Sequence, residues 1–348
     1  MKIKKIFILF FVSILIFSGC SGKSSDGKSS KIIRVSNGQP MDHPDNIALL
    51  EFKKNIEKNT NGRYEVLIYP NELLGASKNA LELCQTGALE FVVCSSSNME
   101  TFNDIYSIFS IPYIFDSEEA YHEFMNSEEV VKTIYDSTED EGLKTVAWFD
   151  AGVRNFYCQK PIKSVEDLKG MKIRVQPSPT NVEMMKAFEA AAVPMSYSEV
   201  YTAIQNGTID GAENSEMALT TVKHGEVIKY YSYNKHQMVP DLLVSNVSFL
   251  NSLSEEDKEI FNKAFREAEK VEQEAWNKQI STAKEEAMKK MGVEFVESDV
   301  MSFKKKVIPL HEKLIKENAK LKPVYEQIQK INEETSKRDK KWLKFEIH

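Results

Sequence analysis

Basic charge, cysteine and catalytic signatures are what this sequence has least of. Its formal net charge is −7, from 45 Lys and Arg against 52 Asp and Glu. So acidic a chain lacks the electrostatic footprint of a nucleic-acid binder. If it binds an anion, it must do so by placing arginines locally, against its own overall field. There are only four cysteines. Beyond Cys20 these are Cys84, Cys94 and Cys158, with no CxxC and no paired metal-ligand spacing. Each sits among apolar residues, so buried free thiols are expected, with a Cys84–Cys94 bridge as the alternative in an oxidising compartment. The six histidines are scattered. There is no P-loop, no GxGxxG after a strand, no HExxH and no GxSxG. No catalytic residue, metal or cofactor is therefore assigned. Glycine (14) and proline (11) are too few for a collagenous or low-complexity chain. No run approaches the roughly twenty apolar residues of a membrane-spanning helix.

The N-terminus holds the longest apolar run, Ile6 to Phe17, behind the basic head Lys2, Lys4 and Lys5. It is too short to span a bilayer and reads as a targeting segment over residues 1–20. With Ser18 and Gly19 leading to Cys20, it resembles a bacterial lipoprotein signal, in which Cys20 becomes the lipidated first residue. An ordinary secretory peptide with an incidental cysteine is the alternative. Either way the protein leaves the cytoplasm, and loss of the three lysines takes the charge from −7 to −10. Residues 21–31 (SGKSSDGKSSK) form a Ser/Gly/Lys linker with nothing to bury.

Some three hundred residues remain, which suits two lobes better than one. Strand-like Ile32–Ser36, a helix over about 44–58, strand-like Tyr64–Tyr69, a helix from Gly75 and buried Phe91–Cys94 give β-α-β-α-β. That order favours a largely parallel sheet with helices on its faces. Ligands of such sheets gather at strand C-terminal ends. The rule points to the loops Asn37–His43 and Ser95–Asn98, although the second also reads as a plain polar loop and His43 as a capping histidine. Helices follow at 117–126 and about 128–141, then a strand at 144–149. A capping box starts at Ser164, a strand covers Ile173–Val175, and helices lie at 180–190 and 198–205 with a short strand at 193–195 between them. This alternation makes a second α/β lobe. Ser254 caps a helix of close to forty residues ending at Gly292, roughly 55 Å if unbroken, which should pass behind both lobes or bend. Residues 299–340 read as helical, with their many Lys and Glu on a solvated face. The expected division is 32–150 for the first lobe, with about 240–275 returning to it. The second is 151–239, with about 276–348 packing on it.

Two arginines stand inside apolar, strand-like runs: Arg154 in GVRNFY and Arg174 in MKIRV. A guanidinium cannot shed its charge, so leaving water requires an anion, and its fork matches both oxygens of a carboxylate. Either both arginines face a cleft and await an anionic ligand, or each pairs with one of the chain's own acids.

Several motifs together resemble the solute-binding subunits of tripartite ATP-independent periplasmic (TRAP) transporters, the DctP family. They are NGQPMDHPDN…YPNELLG, FSIPYIF, VRNFYCQKPIKSVEDLKGMKIRV, PMSYSEVYTAIQNGTIDGAEN and PDLLVSN, in family order across about residues 32–320. The resemblance implies an α/β, two-lobed Venus-flytrap fold with a long helix bracing both lobes, and no catalysis. It implies capture of an extracytoplasmic organic acid and delivery to a two-part membrane permease driven by an ion gradient. Arg174 falls at the family's carboxylate clamp, Arg154 at its second arginine and Asn214 at its ligand-binding asparagine. Asn37 and Tyr197 match further family contacts. Ser95 and Asn98 stand where sialic-acid binders carry acidic and basic groups. The combination RNFY, SYSEVY, DGAEN and KYYSYNKH looks closest to binders of hexuronates and related sugar acids. On that likeness His43, Glu72, Ser95, Asn98, Glu213 and His236 would bond ligand hydroxyls. The same role with a C4-dicarboxylate, 2-oxo acid or sialic acid stays open, as do a ligand-binding sensor subunit and an extracytoplasmic enzyme on a similar scaffold.

Overall fold

The computed structural model describes residues 30–345. The targeting segment with Cys20, and all but the end of the linker, lie outside the described residues.

Two sheets organise the chain. The first has order β2-β1-β3-β10-β4, from β1 (Lys31–Asn37), β2 (Tyr64–Tyr69), β3 (Phe91–Ser95), β4 (Leu143–Phe149) and β10 (Asp241–Asn246). β1 pairs in parallel with β2 and β3, while β10 is inserted antiparallel between β3 and β4. The second has order β11-β9-β5-β8-β6-β7, from β5 (Val153–Cys158), β6 (Lys172–Val175), β7 (Ala191–Pro194), β8 (Gly211–Asn214), β9 (Tyr230–Met238) and β11 (Glu294–Glu297). The chain passes from the first sheet to the second at 150–152 and returns at 239–240. Neither β9 nor β10 is among the strands expected from the local pattern of the sequence.

The long helix Glu255–Met291 crosses both lobes. Ser254 caps it by accepting from Asp257 N, three acids fill its first turn, and Gly292 ends it at φ 71°. Its first half buries Phe261, Ala264, Phe265 and Ala268 against Phe52, Phe91 and Phe149 of the first lobe. Trp276 and Ala283 then meet Met217, and Ala287 joins the second lobe's cluster around Tyr157 and Tyr231. Thirty-seven residues without a break thus tie the two cores together.

Four local expectations change. The helix expected over 128–141 splits into Glu128–Thr133 and a 3-10 turn Tyr135–Thr138. The helix expected to 190 ends at Ala187, because Glu189 turns left-handed at φ 58° to start β7. Ser95 closes β3, and Ser96–Met99 form a short helix rather than a loop. The C-terminal segment divides. Helix Val300–Glu317 packs Phe303, Val307 and Leu310 on the second lobe. Helix Leu321–Phe345, however, places Leu321, Val324, Ile328 and Ile331 on the first lobe's cluster with Ile105 and Phe124. Its apolar stripe closes that core, so the end of the chain clasps the first lobe and not the second.

Candidate functional site

A cavity of about 210 Å³ lies between the lobes, at the edge where β1, β3, β6 and β8 end and β5 and β10 begin. Asn37, His43, Glu72, Ser95, Asn98 and Asp241 line its first-lobe wall, and Arg154, Arg174, Gln176, Tyr197 and Asn214 its second-lobe wall. Trp276 of the long helix closes the back. Trp276 sits against Gly152 at the lobe crossing. A Cβ there would come to 2.7 Å from the indole, and φ is 67°, so only glycine fits.

The two arginines resolve differently. Arg154 is paired from within. Its Nε and Nη2 bond both oxygens of Glu213 (Nη2 to Oε1 at 3.0 Å), and Nη2 also donates to the Glu213 carbonyl at 2.8 Å. Its Nη1 donates to Asn214 Oδ1 at 3.0 Å, and that oxygen also accepts from Ser215 N at 2.9 Å. Asn214 is thereby turned so that Nδ2 reaches Tyr197 Oη at 3.4 Å along the cavity wall. Arg174 is 3 % exposed, yet among the described residues no carboxylate lies within ion-pair distance of it. Nε and Nη2 donate to the single carbonyl of Met195, at 3.2 and 3.0 Å, and the guanidinium lies 5.7 Å from the centre of the Tyr197 ring. Burial pushes its pKa down, helped by the charge of Arg154, and Glu213 pulls it back only in part. A cation in this state needs an anion.

Glu213 and His236 do not line the cavity, contrary to the expectation that they bond ligand hydroxyls. Both are fully buried behind it. Burial pushes the Glu213 carboxyl up, but Arg154 and His236 outweigh that and hold it at about 2. His236 stacks on Phe156 at 4.6 Å, bonds Asn234 through Nδ1 at 3.1 Å, and is pushed toward the neutral form by burial. Glu213 pairs with Arg154, and His236 Nε2 lies 3.5 Å from Glu213 Oε2 behind it. Glu72 does line the cavity, and its carboxylate reaches across to Ser198 of the second lobe. His43 caps helix Pro44–Asn59 through Asp45 N and also lines the cavity.

Four side-chain atoms of lining residues are buried without a protein partner among the described residues: Asn37 Nδ2, Gln39 Oε1, Ser95 Oγ and Gln176 Oε1. Buried polar groups are nearly always satisfied, so their clustering marks a place for a polar ligand. Gln176, Asp241 and Trp276 escaped the sequence reading. Gln176 was within reach, since it lies two residues beyond Arg174 and a strand's period of two puts both on one face. Asp241 is polar at the head of the apolar DLLVS run, a faint signal. Trp276 had none.

Asp241 carries a pH signature. Burial, then the neighbouring Asp45, raises its carboxyl to about 7. The folded chain therefore binds this proton more tightly than the unfolded chain. The stability it supports is complete below about pH 4 and is lost as pH rises through about 7. Asp241→Asn is expected to raise the melting temperature by several degrees near pH 8 and hardly at all near pH 4, read by calorimetry. An equal shift at both pH values would refute the buried, proton-holding carboxyl.

The three cysteines Cys84, Cys94 and Cys158 are free and buried, which settles the bridge alternative for the first two.

Comparison with known proteins agrees with this architecture. Residues 35–318 match the family described as bacterial extracellular solute-binding protein, family 7 (DctP), and the chain belongs to that family. An uncharacterized protein, YiiZ, of Salmonella typhimurium is 38% identical over 300 residues, covering 86% of this chain and 90% of that one. The crystal structure of a TRAP periplasmic solute-binding protein from Anaerococcus prevotii, with bound α/β-D-glucuronate, is 48% identical with a TM-score of 0.86. It covers 88% of this chain and 99% of its own. One from a Sulfitobacter species, with bound β-D-galacturonate, is 28% identical with a TM-score of 0.82, covering 85% of this chain and 98% of its own. The fold is thus the two-lobed periplasmic-binding-protein fold with a helix spanning both lobes, and the class is the TRAP transporter solute-binding protein.

Proposed function

We propose that this protein captures a hexuronate outside the cytoplasm and hands it to TRAP permease subunits without chemical change. The observation that carries the reading is Arg174: buried, without a carboxylate partner, and facing a cavity. The ligand carboxylate bridges Arg174 to the Arg154–Asn214 pair, and closure excludes water and strengthens each charge-assisted bond. Because Glu213 already balances Arg154, one guanidinium remains for one carboxylate. The first-lobe wall offers Glu72, Asp241 and the amides Asn37 and Asn98, which suit hydroxyls, and it holds no arginine for a second carboxylate among the described residues. Lys78 at the rim is half-exposed and reaches toward Glu82. Uronates bound to the Anaerococcus and Sulfitobacter proteins support the same ligand class. Lipidation at Cys20 would tether the protein to a membrane surface. Closure is a shift between lobe positions that the ligand favours by binding one of them better.

Thermal unfolding against hexuronates, aldonates, sialic acid, C4-dicarboxylates and 2-oxo acids tests the ligand. An acid at about a hundred times its dissociation constant adds roughly 2.7 kcal/mol. The expected shift comes with D-glucuronate or D-galacturonate. A shift with dicarboxylates or 2-oxo acids alone would keep the transport role and overturn the hexuronate. No shift with any acid would favour the sensor and enzyme readings. Mass analysis of the membrane-bound form reads the acyl group on Cys20.

A further inference from the structure

Glu100 follows the short helix Ser96–Met99 of the first lobe, does not line the cavity, and is 9 % exposed. Its Oε1 accepts from Ser110 Oγ of its own lobe and, at 2.8 Å, from Ser178 Oγ of the second lobe. Its Oε2 is 3.5 Å from Thr180 N, also of the second lobe. Ser178 is the N-cap of helix Pro179–Ala187: its hydroxyl accepts from Asn181 N at 3.0 Å while donating to Glu100. A carboxylate of one lobe thus completes the cap at the positive end of a helix belonging to the other. No lysine or arginine pairs with Glu100 among the described residues. Burial pushes its carboxyl up, and only these hydrogen bonds draw it back. Beside it, Gln237 Nε2 bridges Ser110 O and Asn181 Oδ1, at 2.5 and 2.9 Å, so the contact is a buried polar seam between lobes.

The seam adjoins the ligand clamp in sequence. Arg174, Gln176 and Pro177 line the cavity, and Ser178 is the next residue along. Separating the lobes would take Ser178 and Thr180 from Glu100 and return all three to water. We propose that Glu100 is an interlobe clasp, a positioning residue that holds the clamp segment Arg174–Ser178 in the closed position and sets how long a ligand stays without touching it. This rests on the solute-binding reading above.

The test follows D-glucuronate binding by stopped-flow tryptophan fluorescence, with Trp276 in the cavity wall as reporter. Glu100→Gln keeps the shape, removes the charge and turns an amide donor toward hydroxyl and N–H donors. Its dissociation rate is expected to rise roughly 10- to 100-fold, because charge-assisted bonds are lost, while association changes less than about twofold. The clasp touches no ligand, so every acid that binds should be released faster by a similar factor. Ser178→Ala is expected to act in the same direction, and the double variant to be less than multiplicative. Melting of the unliganded protein should stay within about 2 °C for Glu100→Gln, since the clasp as proposed forms only when the lobes close.

An unchanged dissociation rate in Glu100→Gln, with wild-type binding intact, overturns the clasp. So does a variant whose unliganded melting temperature falls while association and dissociation suffer alike, because that is the mark of a packing residue. If the wild type takes another acid of the panel in place of D-glucuronate, the hexuronate reading fails and the clasp is judged with that acid. If it takes none, both fall together.

Discussion

Arg174→Ala is expected to abolish uronate binding at ordinary concentrations and to leave the unliganded protein as stable as before, or more so. Truncating one side of a desolvated charge pair costs about 2–5 kcal/mol, or roughly 30- to 5000-fold in dissociation constant. The cost falls on the complex alone. Among the described residues Arg174 has a single carbonyl as acceptor and no carboxylate, so its removal breaks no ion pair within the protein. Arg174→Lys keeps the charge but loses the planar fork, and we expect a loss of about 10- to 100-fold. Calorimetric titration with D-glucuronate reads the affinity, and thermal unfolding without ligand reads the stability. An affinity within about threefold of wild type in Arg174→Ala would remove the clamp. A large fall in unliganded stability would make Arg174 a structural residue instead.

Glu213→Gln should show the opposite pattern. It leaves Arg154 buried and unbalanced, at a cost of about 3–5 kcal/mol and roughly 5–8 °C in melting temperature. Affinity should fall too, since Arg154 orients Asn214. The pH dependence follows from the depressed carboxyl. Glu213 sits at about 2 in the folded chain against an ordinary value above 4. Its stabilisation, about 3 kcal/mol on that difference, is therefore complete above about pH 4.5 and is lost as pH falls through about 2. Glu213→Gln should lack this acid-side decline. Replacing the whole pair, with Glu213→Leu beside Arg154→Met, should restore much of the stability while leaving binding lost, because an apolar pair then replaces an orphaned charge. A melting temperature within about 2 °C of wild type in Glu213→Gln would show that the ion pair carries no such weight.

The contrast between the two arginines marks where sequence reading reached and where it stopped. Both stand in apolar strand-like runs, and each, as a cation leaving water, needs an anion. Only the fold decides that Glu213, a distant residue on the neighbouring strand β8, answers Arg154 and that no carboxylate among the described residues answers Arg174. The same division appears in the cavity wall. Asn37, Ser95 and Asn98 follow from the rule that ligands gather at strand ends. Trp276 comes from the middle of a helix whose own pattern speaks only of packing.

The sequence by itself determined the elements that depend on near neighbours. These are the βαβ alternation of the first lobe, the capping box at Ser164, and the long helix from its cap at Ser254 to its glycine at 292. Such signals act within a few residues, through dihedral preference, capping and a periodic apolar face. Only the tertiary structure decided the rest. It inserted β10 antiparallel between β3 and β4, sent the last helix back to the first lobe, and withdrew Glu213 and His236 behind Arg154. It also brought Glu100 against Ser178. Those outcomes depend on which distant surfaces are buried together and which charges lose their water. No window of the chain contains that information.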